Sequence, residues 1–196
     1  MLAAAFPEPA LASQAVFRAV MDALARPGEI RPLPHALTAP APLSATAAAL
    51  ATALLDYETP LWLDAALSET PDVTRWIRFH TGARVTADPR QAAFAFIADP
   101  ARAPAFDSFA LGTPEYPDRS TTIVLQVKQF GSGQPLALYG PGIADSVSFS
   151  AQPLPPDFLD RLAANHALFP RGVDVIMLSA TSVAALPRSV VASTGG

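Results

Sequence analysis

Proline sets the first limit on what this chain can become. Twenty-one prolines against 10 glycines punctuate 196 residues every few positions. Each proline removes a backbone donor and fixes φ, so one in the interior of a helix or a ladder ends it. Helices and strands must therefore be short. A proline-rich, alanine-rich chain could stay disordered, but disorder needs few large apolar side chains. Here Leu, Val, Ile and Phe recur throughout and the hydrophobic share is 51%. That is enough for one packed core. We expect a single α/β domain over residues 1–192, followed by a flexible tail from Ser193 to Gly196.

The apolar positions Val16, Ala19, Val20, Ala23 and Leu24 keep helical spacing, which predicts a helix from a cap at Ser13 to Arg26. Pro27-Gly28 stops it, and a short strand near Ile30 to Leu33 follows. A helix nearly all alanine and leucine runs from a cap at Ser44 to about Leu55 and should be buried on more than one face. Leu61-Trp62-Leu63 reads as a strand. The next helix has Thr70 as cap, Pro71 in its first turn and Gly82 past its end, with Val73, Trp76, Ile77 and His80 on its apolar face. The runs 93–98, 121–129, 134–139 and 173–179 are β-rich, and the second and third are expected to form a hairpin around Gly131-Ser132-Gly133. A helix with an acidic start follows Pro155-Pro156-Asp157. These elements predict a three-layer sandwich, a mixed sheet flanked by helices on both sides.

Composition closes off several functions. The net charge is −4 and Lys128 is the single lysine, so no basic block is available to neutralise a row of phosphates, and nucleic acid is not an expected partner. The absence of cysteine excludes thiolate metal sites and thiol nucleophiles. Met1 to Ala12 lacks a basic leader, Pro7 and Pro9 break its apolar segment, and no run approaches membrane-spanning length. A cytoplasmic, soluble protein without a membrane partner is the expectation.

No complete catalytic pattern is present. His35, His80 and His166 belong to no paired-histidine motif, so no metal site is expected. No glycine-rich turn ends in lysine, and no elbow places a serine on a strand-to-helix turn. His80, on an apolar helix face beside Arg78, is either a packing histidine at a subunit boundary or a general base. Gly140-Pro141-Gly142-Ile143 is either a rigid corner or an anion-binding nest of backbone amides. Arg18, Arg26 and Arg188 either gather around an anion or make salt bridges at the surface or an interface. These six positions, Arg18, Arg26, His80, Gly140, Gly142 and Arg188, are the candidate anion-binding or interface residues.

Six segments occur in an order that resembles one family. They are 17–28 with Phe17-Arg18 and Met21 to Gly28, Leu54 to Leu63, Arg78 to Gly82, Leu138 to Ile143, Phe169 to Asp174, and Leu186-Pro187-Arg188. Together they resemble the phosphonate metabolism protein PhnH family of the carbon-phosphorus lyase core complex, over nearly the whole chain. The resemblance implies a fold similar to the large domain of pyridoxal-phosphate-dependent transferases without that cofactor's site, and no cofactor is expected. Lys128, read as lying mid-strand and facing solvent, agrees. The resemblance further implies a homodimer that joins the G, I and J subunits in a core complex of organic phosphonate catabolism. That complex moves a methylphosphonate-type group onto the ribose of a nucleoside triphosphate. The resemblance assigns no catalytic residue to this family, so a structural or regulatory role is expected. The alternative is a stand-alone enzyme for a phosphorylated or phosphonate substrate, using His80 and nearby arginines.

Overall fold

The computed structural model describes residues 9–34 and 37–195. Its centre is a six-stranded sheet of β1 (Arg31–Pro32), β2 (Leu61–Leu63), β3 (Phe94–Ile97), β4 (Thr122–Gln126), β9 (Asp174–Leu178) and β10 (Ser182–Leu186). The order across the sheet is β1-β10-β9-β4-β3-β2. The run from β9 to β2 is parallel, and β10 is antiparallel to both of its neighbours. The sheet is mixed, as expected.

Alternation along the central strands divides two cores. Phe96, Val124, Ile176 and Leu178 face one side, where α1 (Pro9–Ala25), α2 (Ala45–Leu54) and α4 (Pro71–Thr81) bring Val16, Val20, Leu50 and Ile77. Ala95, Ile97, Ile123, Leu125 and Met177 face the other. Both faces are covered, which is why these parallel strands read as nearly unbroken apolar runs.

The second face departs from the expected helical layer. Helix α5 (Phe158–His166) covers part of it with Phe158 and Leu162, and a small antiparallel sheet contributes Leu136, Leu138 and Phe149. That sheet has the order β11-β6-β7, from β6 (Leu136–Tyr139), β7 (Val147–Phe149) and β11 (Val191–Thr194). Ser193 and Thr194, expected in a flexible tail, end β11 and pair with Ala137 and Leu136.

The hairpin around Gly131-Ser132-Gly133 does not form. Strand β4 lies between β3 and β9, so both of its edges are taken. The chain leaves it to make a separate two-residue strand, β5 (Gln129–Phe130), against β8 (Ala151–Gln152). Lys128 is therefore in an exposed bend between β4 and β5, not in mid-strand. Helix α1 also begins earlier than Ser13. It includes Pro9, which the first turn tolerates because the missing N–H has no intrahelical acceptor there.

Local signals hold where they are strongest. Ser44 accepts a hydrogen bond from the Ala47 N–H at 3.1 Å and caps α2, in which residues 46–51 are all buried. Gly82 ends α4 at φ 73°, with its N–H donating to the Arg78 carbonyl. One cap has no counterpart among the expected elements. The buried Asp64, after β2, accepts from Leu67 N–H at 3.1 Å, capping the short helix α3 (Ala65–Ser68). Its other oxygen accepts from Ala98 and Asp99 N–H at 2.8 and 3.0 Å, joining the ends of β2 and β3. Asp64→Asn turns an acceptor-only group into one that offers an N–H to backbone donors, so a loss of about 1–2 kcal/mol is expected. Urea denaturation measures it, and an unchanged midpoint would remove this role.

Candidate functional site

The Gly140–Ile143 turn follows β6 and packs against the end of α1 and the turn after β10. Gly140 and Gly142 have φ of 132° and 84°, and the Ile143 N–H donates to the Gly140 carbonyl at 3.1 Å. A Cβ on Gly142 would sit well inside contact distance of the Ala25 carbonyl oxygen and 3.0 Å from Pro27 Cδ. On Gly140 it would meet the Ser189 carbonyl oxygen at 3.0 Å. The turn is thus wedged between the end of α1 and the turn after β10. Gly28, at φ 79°, lets the Arg26-Pro27-Gly28 stop press on the small sheet, because a Cβ there would come within 2.6 Å of Val147 and 2.7 Å of Leu138. Two of the family-like segments meet in this corner, and a third ends beside it at Arg188.

Arg188 stands beside it with its donors engaged. Its Nη2 donates to Asp174 Oδ2 at 2.6 Å and to Ser120 Oγ at 2.6 Å, its Nε to Asp174 Oδ1 at 3.1 Å, and its Nη1 to the Pro117 carbonyl at 2.6 Å. The backbone N–H of Arg188 also donates to Asp174 Oδ1, at 2.8 Å. This bidentate pair ties β9 to the turn after β10 and to the loop before β4. Both side chains are mostly buried, at 14% and 23% exposure, so solvent screens the pair only partly.

The other arginines lie away from Arg188. Arg26 pairs with Asp22 at 3.5 Å on the exposed side of α1. Arg18 lines an open groove of about 490 Å³ between α1 and β1, together with Asp22 and Arg31. Arg31 is itself paired with Glu29. Arg18 lies within α1 and Arg26 just past its end, eight residues on and about 12 Å along the axis. The three candidate arginines thus have no common partner in the described residues.

His80 packs among aromatic rings on α4, tilted over Trp76 at 4.3 Å and edge-on to Phe79 at 5.0 Å. Burial holds its pKa below the ordinary 6.5. Because the unfolded chain takes up this proton first, His80 contributes stability above about pH 6.5 that fades as pH falls toward the folded value. His80→Phe should therefore reduce the drop in melting temperature between about pH 8 and about pH 5.5. A drop equal to that of the unmodified protein would contradict this role. His166 places Nδ1 3.3 Å from the Arg188 carbonyl oxygen. His35 lies outside the described residues. Among the described residues no group of three His, Asp or Glu side chains is placed to hold a metal ion.

The partners of Arg188 are hard to find from sequence. Asp174 stands in one of the family-like segments, a usable signal, but nothing local marks it as the acceptor for Arg188. Ser120 and Pro117 carry no signal at all.

Comparison with known proteins adds two kinds of finding. The family model described as bacterial phosphonate metabolism protein (PhnH) matches residues 4–193. A protein of Rhizobium meliloti (strain 1021), named alpha-D-ribose 1-methylphosphonate 5-triphosphate synthase subunit PhnH, is 48% identical over 185 residues, covering 94% of this chain and 92% of its own. A protein of Stutzerimonas stutzeri, named "Putative C-P lyase subunit protein HtxG", is 38% identical over 79 residues, 40% of each chain.

Proposed function

The chain belongs to the bacterial phosphonate metabolism protein (PhnH) family, and from that membership we propose that it serves phosphonate breakdown as a subunit of a carbon-phosphorus lyase assembly. The observation that carries this is the 48% identity over 94% of the chain to a synthase subunit of that name. The family match over residues 4–193 spans both cores and all of the central sheet, so it concerns the whole domain and not one motif.

The finer reading is that of a structural or regulatory subunit of the enzyme that forms α-D-ribose 1-methylphosphonate 5-triphosphate. It acts as a cytoplasmic homodimer joined to the G, I and J subunits, on a fold akin to the large domain of pyridoxal-phosphate-dependent transferases. The way the candidate residues are used supports a scaffold role. Arg188 is bound to groups of its own fold through every nitrogen of its guanidinium, and Gly142 is pressed against α1, so both shape a surface more readily than they hold a substrate. No helix among the described residues is long and apolar enough to cross a membrane.

Deletion of the gene in a host that grows on methylphosphonate, followed by complementation, tests the role. Growth on that phosphorus source should stop and return only with the intact chain. Light scattering of the purified protein should report twice the chain mass. Incubation with pyridoxal phosphate and borohydride should leave no stoichiometric adduct on Lys128. Robust turnover of a nucleotide or phosphonate by the isolated protein would overturn the scaffold reading and restore the stand-alone enzyme, with His80 as the first residue to replace.

A further inference from the structure

Between α5 and the turn at Phe106–Ser108 lies a groove of about 260 Å³. Phe106, Leu111, Ala164 and Leu168 give it an apolar lining, and the exposed Asp107 and Asp160 complete it. Its remaining polar groups are already bonded within the fold. Asn165 accepts from Val173 N–H at 2.8 Å and donates to the Val173 carbonyl at 2.9 Å. Arg161 donates to Asp157 and to the carbonyls of Ala103 and Pro104, each at 2.8 Å. A small-molecule site keeps a few convergent polar groups to orient its ligand. Here they are used up, and what faces outward is apolar surface beside two carboxylates without an ion pair among the described residues. An apolar anchor pocket with a charged rim is the anatomy of a protein contact.

We infer that this groove receives an apolar side chain flanked by arginine or lysine from a different subunit of the assembly. The inference rests on the subunit reading above. A second copy of this chain is a poorer fit. It carries a net charge of −4, and a two-fold axis through the groove would set Asp107 and Asp160 against their own copies in a contact cleared of water. Arg78-Phe79 of a second copy has the right chemistry, and Phe79 is 61% exposed. Self-association through that segment is therefore an outcome the test below must read, and the acidic rim favours a basic surface on another subunit.

The test co-expresses the tagged chain with the G, I and J subunits and measures how much of each co-purifies. Two variants address the two parts of the groove: Asp107→Lys with Asp160→Lys reverses its charge, and Ala164→Trp fills it. All three positions are exposed, and unchanged melting temperatures would confirm the fold. Each variant should lower the partner yield by about tenfold, the loss of one anchor. Asp107→Asn with Asp160→Asn should give an intermediate loss, and salt should weaken the unmodified complex. Yields equal to the unmodified chain in both the reversed and the filled variants would overturn the inference while leaving the subunit reading intact. Capture of no partner by the unmodified chain would overturn the subunit reading and the groove with it. Self-association of the isolated protein that the same substitutions abolish would overturn the choice of partner.

Discussion

Replacing Gly142 by valine is expected to lower stability by about 2–6 kcal/mol, from about 1–3 for left-handed backbone strain and a similar term for overpacking. The positive φ of 84° disfavours any side chain, and the new Cβ would collide with the Ala25 carbonyl oxygen, a backbone atom that cannot swing aside. Relief requires the end of α1 or the whole turn to move. A control separates the two causes. Gly131 has a φ of 76° but open space where its Cβ would be, so Gly131→Ala should cost only the backbone term, about 1–2 kcal/mol. Calorimetry reads the difference, with about 2–4 °C expected per kcal/mol in a chain of this length. Equal shifts for Gly142→Ala and Gly131→Ala would show that the turn is not wedged. A Gly142 variant that keeps its melting temperature and its partners yet fails to support growth would move the turn from scaffold to ligand site.

Arg188→Ala is expected to cost about 3–5 kcal/mol, because it strands the mostly buried Asp174 carboxylate and leaves Ser120 and the Pro117 carbonyl without their donor. Arg188→Lys should recover little of this. An ammonium is a single point of charge and cannot reproduce the bidentate bond to Asp174 together with bonds to two further groups. The double variant Arg188→Ala with Asp174→Ala removes both members and should be less damaging than the sum of the single losses, with a coupling of about 1–3 kcal/mol. Additive single and double losses would mean that the pair contributes nothing specific, and the tie between β9, β10 and the loop before β4 would have to be sought elsewhere.

The two residues differ in how far the sequence announces them. Gly142 stands out because two glycines flank a proline directly after an apolar run, a pattern that marks a turn from local chemistry alone. That the turn meets Ala25 is a tertiary fact. Arg188 stands out only through its place in a family-like segment, and the sequence leaves open whether it meets an anion or a carboxylate. The structure pairs it with Asp174, 14 residues earlier in the chain, because antiparallel β9 and β10 place Leu186 opposite Val175. Arg18, Arg26 and Arg188 look alike as guanidinium groups, yet the first two lie along α1 near Asp22, whereas the third is held by Asp174 of β9.

Features settled within one turn of helix or a few residues of strand are legible in the chain alone. Proline limits element length, Ser44 caps α2, Pro71 and Gly82 bound α4, and Leu61 to Leu63 form a strand as read. The physical reason is that caps, proline sterics and apolar spacing act between neighbours in the chain. Which edges meet is settled only by packing. The apolar run at β4 accounts equally well for a hairpin or for the middle of a parallel sheet, and burial of both its faces between β3 and β9 selects the latter. The same competition gives Ser193 and Thr194 a partner in β6, turns Asp64 into a clasp between β2 and β3, and leaves Asp107 and Asp160 beside an open groove. Such outcomes depend on the free energy of long-range burial, which no local pattern carries.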